Sequence, residues 1–526
     1  MKRLKTLSTI LKQVGNLLIL LSFVVIIPAL VSLIYREWYS AIGFIISAAL
    51  IVTVGVLLTI IFKKSDDVQY TNALIVVAAG WFGFVLFGGL PFWVVAHITP
   101  VEVMNGFIPH GANYAVSSLI YFRNPLHCLF ESMSAFTTTG LSMAVHEPSV
   151  GKGILFYRSI ASWSGGAGFV VLSLAIFKHT SGKGAMLLYG SESTGEKLAS
   201  RVIETARSIW KSYLVITIFA FLYLVIGTRI ILPDYPFTEN IFDSINHAMA
   251  GICTGGFSTL DDHMATYNSP QMEMLYLLPM ILGTFSLPFY YKVLFKGKIS
   301  QVWKDIQTRS LIALFVVGSV IQIYLLAEAS SVSNPVREGI FQFVSALSTT
   351  GWQTANIIHW DWLSIVYICA VAMFIGGASG ATVGGIKMIR ALIIKKGLQW
   401  QVSKVFLTRH TVKTIHFNGR TILPDEMNEE FTKSAAMAIL FFLLIIGSSI
   451  ATMIITNGQF RFVDALFEAS SAQGTVGLSS GITCPEMSPV VEGIYIFQMW
   501  TGRLEIIAVF ALIRAIIWGI NPSSVK

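Results

Sequence analysis

Charged residues are scarce in this sequence of 526 amino acids. Asp, Glu, Lys and Arg together make up 12% of it, whereas hydrophobic residues make up 54%. Soluble globular domains carry about 25% charged residues, so this composition excludes an ordinary soluble domain. It predicts a polytopic membrane protein that is surrounded by the lipid bilayer.

Cysteine is also scarce, and its spacing excludes two kinds of site. The four cysteines are Cys128, Cys253, Cys369 and Cys484, and they form no CxxC or other metal-binding spacing. We therefore expect neither a disulfide framework nor a zinc site. We expect no cleavable signal peptide either, because the first apolar stretch is long, lacks a small-residue cleavage site and is soon followed by a second.

Long apolar segments are abundant. A helix needs roughly 20 apolar residues to cross a bilayer. Segments of this kind lie near 14–34, 41–62, 71–97, 154–177, 212–232, 273–295, 311–327, 362–394, 434–455 and 490–519. The sequence therefore predicts an all-α polytopic membrane protein with about ten transmembrane helices.

The formal net charge of +8 is concentrated between the apolar segments. Lys and Arg cluster in the N-terminal tail, at 63–64, and in the segments 178–211, 292–309 and 387–420. The positive-inside rule predicts that these segments, and with them the N-terminus, are cytoplasmic. Nucleic-acid binding is the other interpretation of a basic chain. We expect no nucleic acid, because the charge is spread over loops and no soluble domain carries it.

Four of the remaining connections share one pattern. They can be aligned on four glycines, with a small residue five positions before each and a Leu, Phe or Trp directly after it: Gly140, Gly256, Gly351 and Gly477. A further glycine follows three of them at the same spacing, at Gly165, Gly376 and Gly502. We interpret the pattern as four copies of helix, re-entrant loop and helix around a pseudo-fourfold pore. Two extra N-terminal helices stand outside this repeat.

This interpretation divides the chain into five parts. Residues 1–68 would form the N-terminal pair of transmembrane helices. The four pore repeats would then comprise residues 69–205, 206–305, 306–425 and 426–526.

The chemistry of the four connections predicts a cation pathway. Each has a short helix-compatible stretch followed by Thr and Gly, so the negative end of a helix dipole would point into the membrane. Non-helical backbone at that depth must be buried in protein or line a watery path, where carbonyl groups can replace the hydration shell of an ion. Thr475-Val476-Gly477 also matches the start of the potassium-channel filter TVGYG.

We therefore predict a potassium selectivity filter built from three residues of each connection. These residues are Thr138, Thr139, Gly140, Thr254, Gly255, Gly256, Thr349, Thr350, Gly351, Thr475, Val476 and Gly477. The alternative interpretation is that they are Gly/Thr turns that only join helices. Four copies in the same register favour the filter.

The four connections resemble those of the Trk/Ktr/HKT superfamily of potassium transporters. The strings "HAMAGICTGGFST" and "STTGWQTAN" carry the resemblance, as does "GRLE" at 502–505, and it extends from about residue 70 to 518. The N-terminal helix pair and "GRLE" resemble the TrkH branch, whereas "GTVGLS" resembles the KtrB branch. In this family a serine in place of the first filter glycine accompanies sodium permeation. All four glycines are intact here, which favours potassium.

The resemblance also implies partners. It implies a homodimer in the plasma (cell inner) membrane and a cytoplasmic ring of TrkA/KtrA-type nucleotide-binding subunits that gates the pore. It implies K+ as the transported ion, and we expect no bound organic cofactor.

Two features within the apolar segments are candidates for gating. The string "FIGGASGATVGGIK" at 374–387 contains Gly376, Gly377, Gly380, Gly384 and Gly385. It resembles the phosphate-binding loop motif without matching it fully, and it lies within a span. A nucleotide site is therefore not expected. Close helix packing through small residues is one interpretation. By resemblance, the other is a broken helix whose middle forms a mobile loop beneath the filter.

Arg503 is the second gating candidate, since a charge within a span is costly and faces a cavity or a partner. Its partner could be Glu505 or Glu468, in a structural salt bridge. By resemblance it would lie near the pore below the filter, where a fixed positive charge raises the barrier to a cation. Arg158 lies nearer the start of its helix, and we expect its side chain to snorkel towards water.

One position in each short helix is expected to support the filter. It lies nine residues before the aligned glycine and is occupied by Glu131, His247, Gln342 and Glu468. Hydrogen bonds to the filter backbone are expected there rather than direct contact with the ion.

The favoured function is therefore channel-like potassium uptake under cytoplasmic control. The alternative is a secondary transporter that couples potassium uptake to sodium or protons, which would use ionisable groups near the membrane midplane. Few acidic residues lie deep in the predicted spans, which argues against a proton relay. A membrane enzyme would need a cluster of catalytic side chains at one depth, and the sequence offers none, so we expect no enzyme.

Overall fold

The chain forms a bundle of long apolar helices with short helices between them. The computed structural model describes residues 2–65, 70–179, 202–297, 300–330, 332–406, 414–504 and 506–519. The predicted cytoplasmic loops at 178–211 and 387–420 therefore lie partly outside the described residues, as does Glu505.

The first eleven α-helices cover the N-terminal half. They are α1 Lys2–Ile34, α2 Trp38–Ile61, α3 Tyr70–Gly88, α4 Leu90–Ile98, α5 Val101–Asn105, α6 Pro125–Phe136, α7 Lys152–His179, α8 Val202–Ile231, α9 Phe237–Ile252, α10 Pro270–Gly283 and α11 Leu287–Lys296. Short 3₁₀ helices lie at Ser118–Arg123, Glu147–Val150 and His263–Tyr267.

In the described residues of the second half lie nine further α-helical segments, a 3₁₀ helix at Ile357–His359 and a π-helix at Ile368–Met373. The α-helices are α12 Gln301–Lys304, α13 Ile306–Ala329, α14 Pro335–Leu347, α15 Trp362–Tyr367, α16 Met388–Lys404, α17 Pro424–Ile455, α18 Phe462–Gly474, α19 Pro489–Leu504 and α20 Ile506–Ile517.

The structure confirms a helical fold with several membrane-length helices. Six helices of the described residues are long and apolar enough to cross a bilayer, and a seventh span is possible if α10 and α11, bent by 96°, count as one. The predicted segment 362–394 consists instead of α15, the π-helix, an irregular stretch and the start of α16. Because hydropathy averages over a window, it does not show where such a span is interrupted.

One element departs from the all-α prediction. Strands β1 (Ile415–Phe417) and β2 (Arg420–Ile422) pair antiparallel, with Ile415 opposite Ile422. Their apolar side chains pack with Trp400 of α16 and Met427 of α17 in a small separate core. Strands of three residues within a basic connection leave too short an alternating pattern to be predicted.

The N-terminal helices α1 and α2 are fastened to the rest of the bundle by an acidic cap. Glu37, between them, is buried and accepts hydrogen bonds from the backbone N–H groups of Lys152 (2.5 Å) and Gly153 (3.0 Å). These are the first residues of α7, whose N–H groups have no partner within the helix. The carboxylate therefore caps α7 and also suits the positive end of its dipole.

Candidate functional site

Four short helices converge on the centre of the bundle. They are α6, α9, α14 and α18, and each is followed by one of the Thr/Gly segments at 138–140, 254–256, 349–351 and 475–477. Most of these helices and all twelve segment residues are buried. The sequence-predicted residues are therefore brought together, although they are spread over more than three hundred positions of the chain.

All four helices end in the same way. The first threonine of each segment has a positive φ: 55° at Thr138, 54° at Thr254, 51° at Thr349 and 50° at Thr475. The residue after it donates its N–H to the carbonyl five positions earlier, as Thr139 does to Ser134 (2.8 Å). This is the Schellman type of helix end, in which glycine is the usual left-handed residue. A β-branched residue in that conformation is strained, and such strain is concentrated at functional sites.

The four glycines of the segments form a closed ring. A Cβ on Gly140 would overlap the carbonyl oxygen of Gly255, and one on Gly477 would overlap that of Thr139. Gly256 and Gly351 meet the carbonyls of Thr350 and Val476 in the same way. Each segment thus touches the next in chain order, and the fourth touches the first.

In each segment the N–H group after the first threonine is bound to a carbonyl of the preceding short helix. In the first segment, Thr139 and Gly140 donate to the carbonyl and the hydroxyl of Ser134. Gly477 donates to Ser471 Oγ (3.0 Å) in the corresponding way. The arrangement is one that can coordinate a cation through oxygen atoms.

The position nine residues before each glycine binds the chain that follows the segment rather than the segment itself. Glu131 accepts a hydrogen bond from the backbone N–H of Met143 (2.8 Å), and Glu468 accepts one from that of Ser480 (2.6 Å). Each bond fixes the backbone three residues after the corresponding glycine. His247 reaches the same level of its segment through Ser258 Oγ (3.2 Å).

The prediction that Arg158 snorkels to water was wrong. Its side chain is 1% exposed and pairs with Glu131 (Nε to Oε1, 2.8 Å). The guanidinium also lies over the ring of Phe257, 4.3 Å from its centroid, which adds a cation–π contact between two segments. The carboxylate of Glu131, which belongs to another helix, therefore keeps the positive charge of Arg158 inside the protein.

Glu147 lies close to this pair, in the outer connection after the first segment. Its carboxylate is 3.8 Å from Arg158 Nη2. Burial raises the pKa of Glu147 to about 8, although Arg158 acts in the opposite direction.

The glycine-rich string at 374–387 forms an irregular loop directly beneath the ring. Thr382 Oγ1 donates to the carbonyls of Ile252 (3.1 Å) and Gly283 (3.2 Å). Thr138 Oγ1 donates to the carbonyl of Thr382 (3.5 Å), and the N–H of Gly384 donates to Thr349 Oγ1 (3.3 Å). We call residues 374–387 the inner loop. It contacts three of the four segments from their inner side.

The five predicted gating glycines let this loop fold closely. Gly384 packs against Thr475 and Gly376 against the Gly384 carbonyl, at distances that leave no room for a Cβ. Gly377 lies against the Thr284 carbonyl, whereas Gly380 and Gly385 have positive φ angles of 80° and 65°. The packing interpretation and the broken-helix interpretation therefore both describe part of what is observed.

Arg503 connects the inner loop to α7. Its guanidinium is 2% exposed and donates to the carbonyls of Thr382 and Gly166, the latter at 3.3 Å. The predicted salt bridge to Glu468 is not present, because Glu468 lies on the outer side of the ring and binds residues after Gly477. Arg503 instead lies below the ring, at the level of the inner loop.

Sequence reasoning missed several residues of the site. Thr382 carries much of the contact between the inner loop and the ring, and the only signal for it was a hydroxyl within a glycine-rich string. Ser134 and Ser471, which bind the glycine N–H groups, share the alignment position six residues before the glycine. That position could have been found from the repeat, since it is small in all four copies.

Comparison with known proteins identifies the family. The TrkH family, described as "Cation transport protein", matches residues 74–520 of this chain. The chain belongs to the TrkH family. The TrkH match covers far more than half of the sequence and includes all four segments, the inner loop and Arg503.

Individual TrkH relatives match over almost their full length. The chain is 27% identical to the Trk system potassium uptake protein TrkH of Halomonas elongata, covering 98% of this chain and 99% of the relative. It is also 27% identical to an uncharacterised cation transporter of Methanocaldococcus jannaschii, covering 97% and 95%. The crystal structure of the potassium transporter TrkH from Vibrio parahaemolyticus matches with a TM-score of 0.77, 23% identity and coverage of 97% and 99%.

These comparisons agree with the sequence-based predictions of family and class. The crystal structure shares the fold, and membership of the TrkH family makes the chain a multi-pass membrane transport protein rather than an enzyme. The predicted superfamily is therefore confirmed, and within it the chain belongs to the TrkH family.

Proposed function

We propose that this protein conducts potassium ions into the cell through the ring formed by the four Thr/Gly segments. The observation that carries the proposal is the closed contact of Gly140, Gly256, Gly351 and Gly477, each against the carbonyl before the next glycine. The relatives named as potassium uptake proteins support potassium as the ion. The twelve segment residues would then act as the selectivity filter.

The chemistry of the ring favours a cation that sheds its water. Each segment offers backbone carbonyl oxygens, and oxygen ligands replace the hydration shell of the ion. The short helices α6, α9, α14 and α18 point their negative ends at the same place, which further favours positive charge. Glycine at all four aligned positions supports potassium over sodium, as the family resemblance implies.

The inner loop and Arg503 would form the gate. The loop lies directly beneath the ring, so an ion leaving the filter meets it before reaching the cytoplasm. The guanidinium of Arg503 donates to the Thr382 carbonyl and so places a positive charge beside this part of the loop. Displacing the loop and its arginine would open the inward path.

We further propose that cytoplasmic partners control this gate, as family resemblance implies. The pore subunit would be a homodimer in the cell inner membrane, with a cytoplasmic N-terminus and a TrkA/KtrA-type nucleotide-binding ring below it. The division into an N-terminal helix pair and four repeats belongs to the same proposal. The four identical helix ends support it.

A reversal-potential measurement tests the proposed function. The purified chain is reconstituted into vesicles, and the potential at zero current is measured under gradients of potassium, sodium and pH. We expect a reversal potential that follows the potassium gradient alone. A reversal potential that shifts with the sodium or proton gradient would favour the coupled secondary transporter instead.

A further inference from the structure

The four supporting positions on the outer side of the ring are equivalent in place but differ in charge. Glu131, His247, Gln342 and Glu468 are each 0% exposed. Their balance of charge therefore depends on neighbours within the protein and only weakly on water or salt.

In the first repeat the carboxylate is neutralised. Glu131 pairs with Arg158 at 2.8 Å, and Arg158 lies eighteen residues after Gly140. The same position in the fourth repeat, eighteen residues after Gly477, is occupied by Tyr495. Tyr495 directs its hydroxyl to Thr452 (3.3 Å) and brings no positive charge.

The second and third repeats use uncharged hydrogen bonds at this position. His247 contacts the hydroxyls of Tyr276 (2.9 Å) and Ser258 (3.2 Å). Gln342, with its amide oxygen turned towards the backbone, accepts from the N–H groups of Thr354 (2.8 Å) and Ala355 (3.0 Å). Neither position adds a fixed negative charge to the ring.

Glu468 is different, because it combines a carboxylate with neutral donors only. Its two oxygens accept from the N–H groups of Ser480 (2.6 Å) and Thr483 (3.1 Å) and from Ser479 Oγ (2.9 Å). The hydroxyls of Ser480 and Thr483 also bind it. In the described part of the chain, no Lys or Arg contacts this side chain. Five donors on two oxygens is the pattern that an ionised carboxylate accepts.

Glu468 also lies next to the entrance of the ring. The residues that it binds follow Gly477 by two to six positions, where the chain leaves the fourth segment towards the outside. Asp243 is also bound by hydroxyl groups, from Tyr235 (2.5 Å) and Thr259 (2.6 Å), but lies one helical turn earlier in its helix. Among the four supporting positions, a carboxylate that no Lys or Arg of the described residues contacts is therefore found in the fourth repeat.

We propose that Glu468 supplies a fixed negative charge at the outer mouth of the filter and thereby sets the apparent affinity for the entering cation. This inference rests on the proposed function of the ring. A charge beside the mouth acts on any monovalent cation, so it raises the occupancy of K+ and Na+ equally. It should leave the choice between the two ions to the carbonyls of the filter.

The test uses the full chain in vesicles and moves the charge between repeats. Glu468→Gln removes the charge and keeps an acceptor, and we expect the KM for K+ uptake to rise roughly fivefold, because an attractive charge beside the mouth is lost. Glu468→Gln combined with Gln342→Glu should bring KM back close to the wild-type value. The Gln342 position suits a carboxylate, because two N–H groups already face it.

Selectivity separates a charge effect from structural damage. The K+/Na+ permeability ratio should stay the same in Glu468→Gln, whereas a distorted filter would lower it. Gln342→Glu alone should lower KM, which keeps the test valid even if Glu468→Gln folds poorly. An unchanged KM in Glu468→Gln, or a lowered ratio that Gln342→Glu does not repair, would overturn the inference.

A different result would contradict the proposed function. If Gly477→Ser leaves the permeability ratio unchanged, the ring is not the filter and the proposal on function fails. If Gly477→Ser lowers the ratio but Glu468→Gln does not change KM, only the inference on Glu468 fails.

Discussion

Arg158 shows how one buried side chain holds two segments of the ring together. It pairs with Glu131 behind the first segment and lies over Phe257, which directly follows Gly256. Taking both charges of such a pair out of water costs several kcal/mol, and the pair recovers this only while both partners are present. Removing one partner should therefore lower the stability of the folded protein strongly.

We expect Arg158→Met to lower the free energy of unfolding by about 3–5 kcal/mol, because Glu131 is left as an unpaired buried carboxylate. The measurement is the Tm of the purified chain in detergent. Adding Glu131→Gln to Arg158→Met removes the unpaired charge and should recover most of the lost stability. If the double variant were no more stable than Arg158→Met, the charge pair would not explain the effect.

At the level of single residues, the sequence predicted where a side chain lies better than it predicted which residue that side chain contacts. The register of the repeat located Glu131 and Glu468 beside the backbone that follows each glycine. It did not show that Arg158 turns towards Glu131, because a helical position does not by itself tell which neighbour the side chain meets. The positive φ of Thr138 and its counterparts was also not predicted, since threonine rarely adopts it.

Among the elements, the inner loop depends on a few polar contacts. Thr382 donates one hydroxyl to two carbonyls, of Ile252 and Gly283, at the inner ends of α9 and α10. Thr138 reaches the backbone of the same residue. Thr382 is therefore one of the residues that fasten the loop, and its hydroxyl can be removed to test the closure directly.

We expect Thr382→Val to increase potassium flux. The substitution keeps the shape of the side chain but loses the hydroxyl, at a cost of about 1–2 kcal/mol to the closed position. A shift of that size in a two-state equilibrium is roughly five- to thirtyfold. The measurement is the initial rate of potassium uptake into vesicles.

Thr432→Val is a matched control for this substitution. Thr432 donates to the Asn428 carbonyl of its own helix (2.8 Å) and lies on an exposed face. Its replacement should leave the flux unchanged. Arg503→Ala, which frees the Thr382 carbonyl, should act in the same direction as Thr382→Val. A flux that is unchanged in both Thr382→Val and Arg503→Ala would contradict the role of the loop.

Part of this element could be predicted from the sequence. Five glycines within an apolar stretch indicated a broken or closely packed helix at 374–387, and the structure shows an irregular loop there. The contacts of Thr382 could not be predicted, because its partners at Ile252 and Gly283 lie about a hundred or more residues away.

For the whole molecule, the central feature is that four distant segments close into one ring. The equal spacing of the four glycines predicted that they occupy equivalent places. It did not predict that each glycine meets the carbonyl before the next one. That contact depends on how α6, α9, α14 and α18 pack, which involves bulky neighbours such as Trp352, whose indole N–H donates to the Phe257 carbonyl (3.3 Å).

The most direct test of this account is the ion selectivity of Gly477→Ser. Gly477 has a φ of 94°, and a Cβ there would overlap the Thr139 carbonyl oxygen, so the ring cannot keep its geometry. Gly447→Ser is the control, because Gly447 of α17 has open space around it.

The measurement is the reversal potential of reconstituted vesicles under opposing potassium and sodium gradients. We expect the K+/Na+ permeability ratio of Gly477→Ser to fall by roughly tenfold, which corresponds to about 1.4 kcal/mol, and that of Gly447→Ser to match the wild type. A Gly477→Ser protein that is folded and conducting with unchanged selectivity would contradict the account.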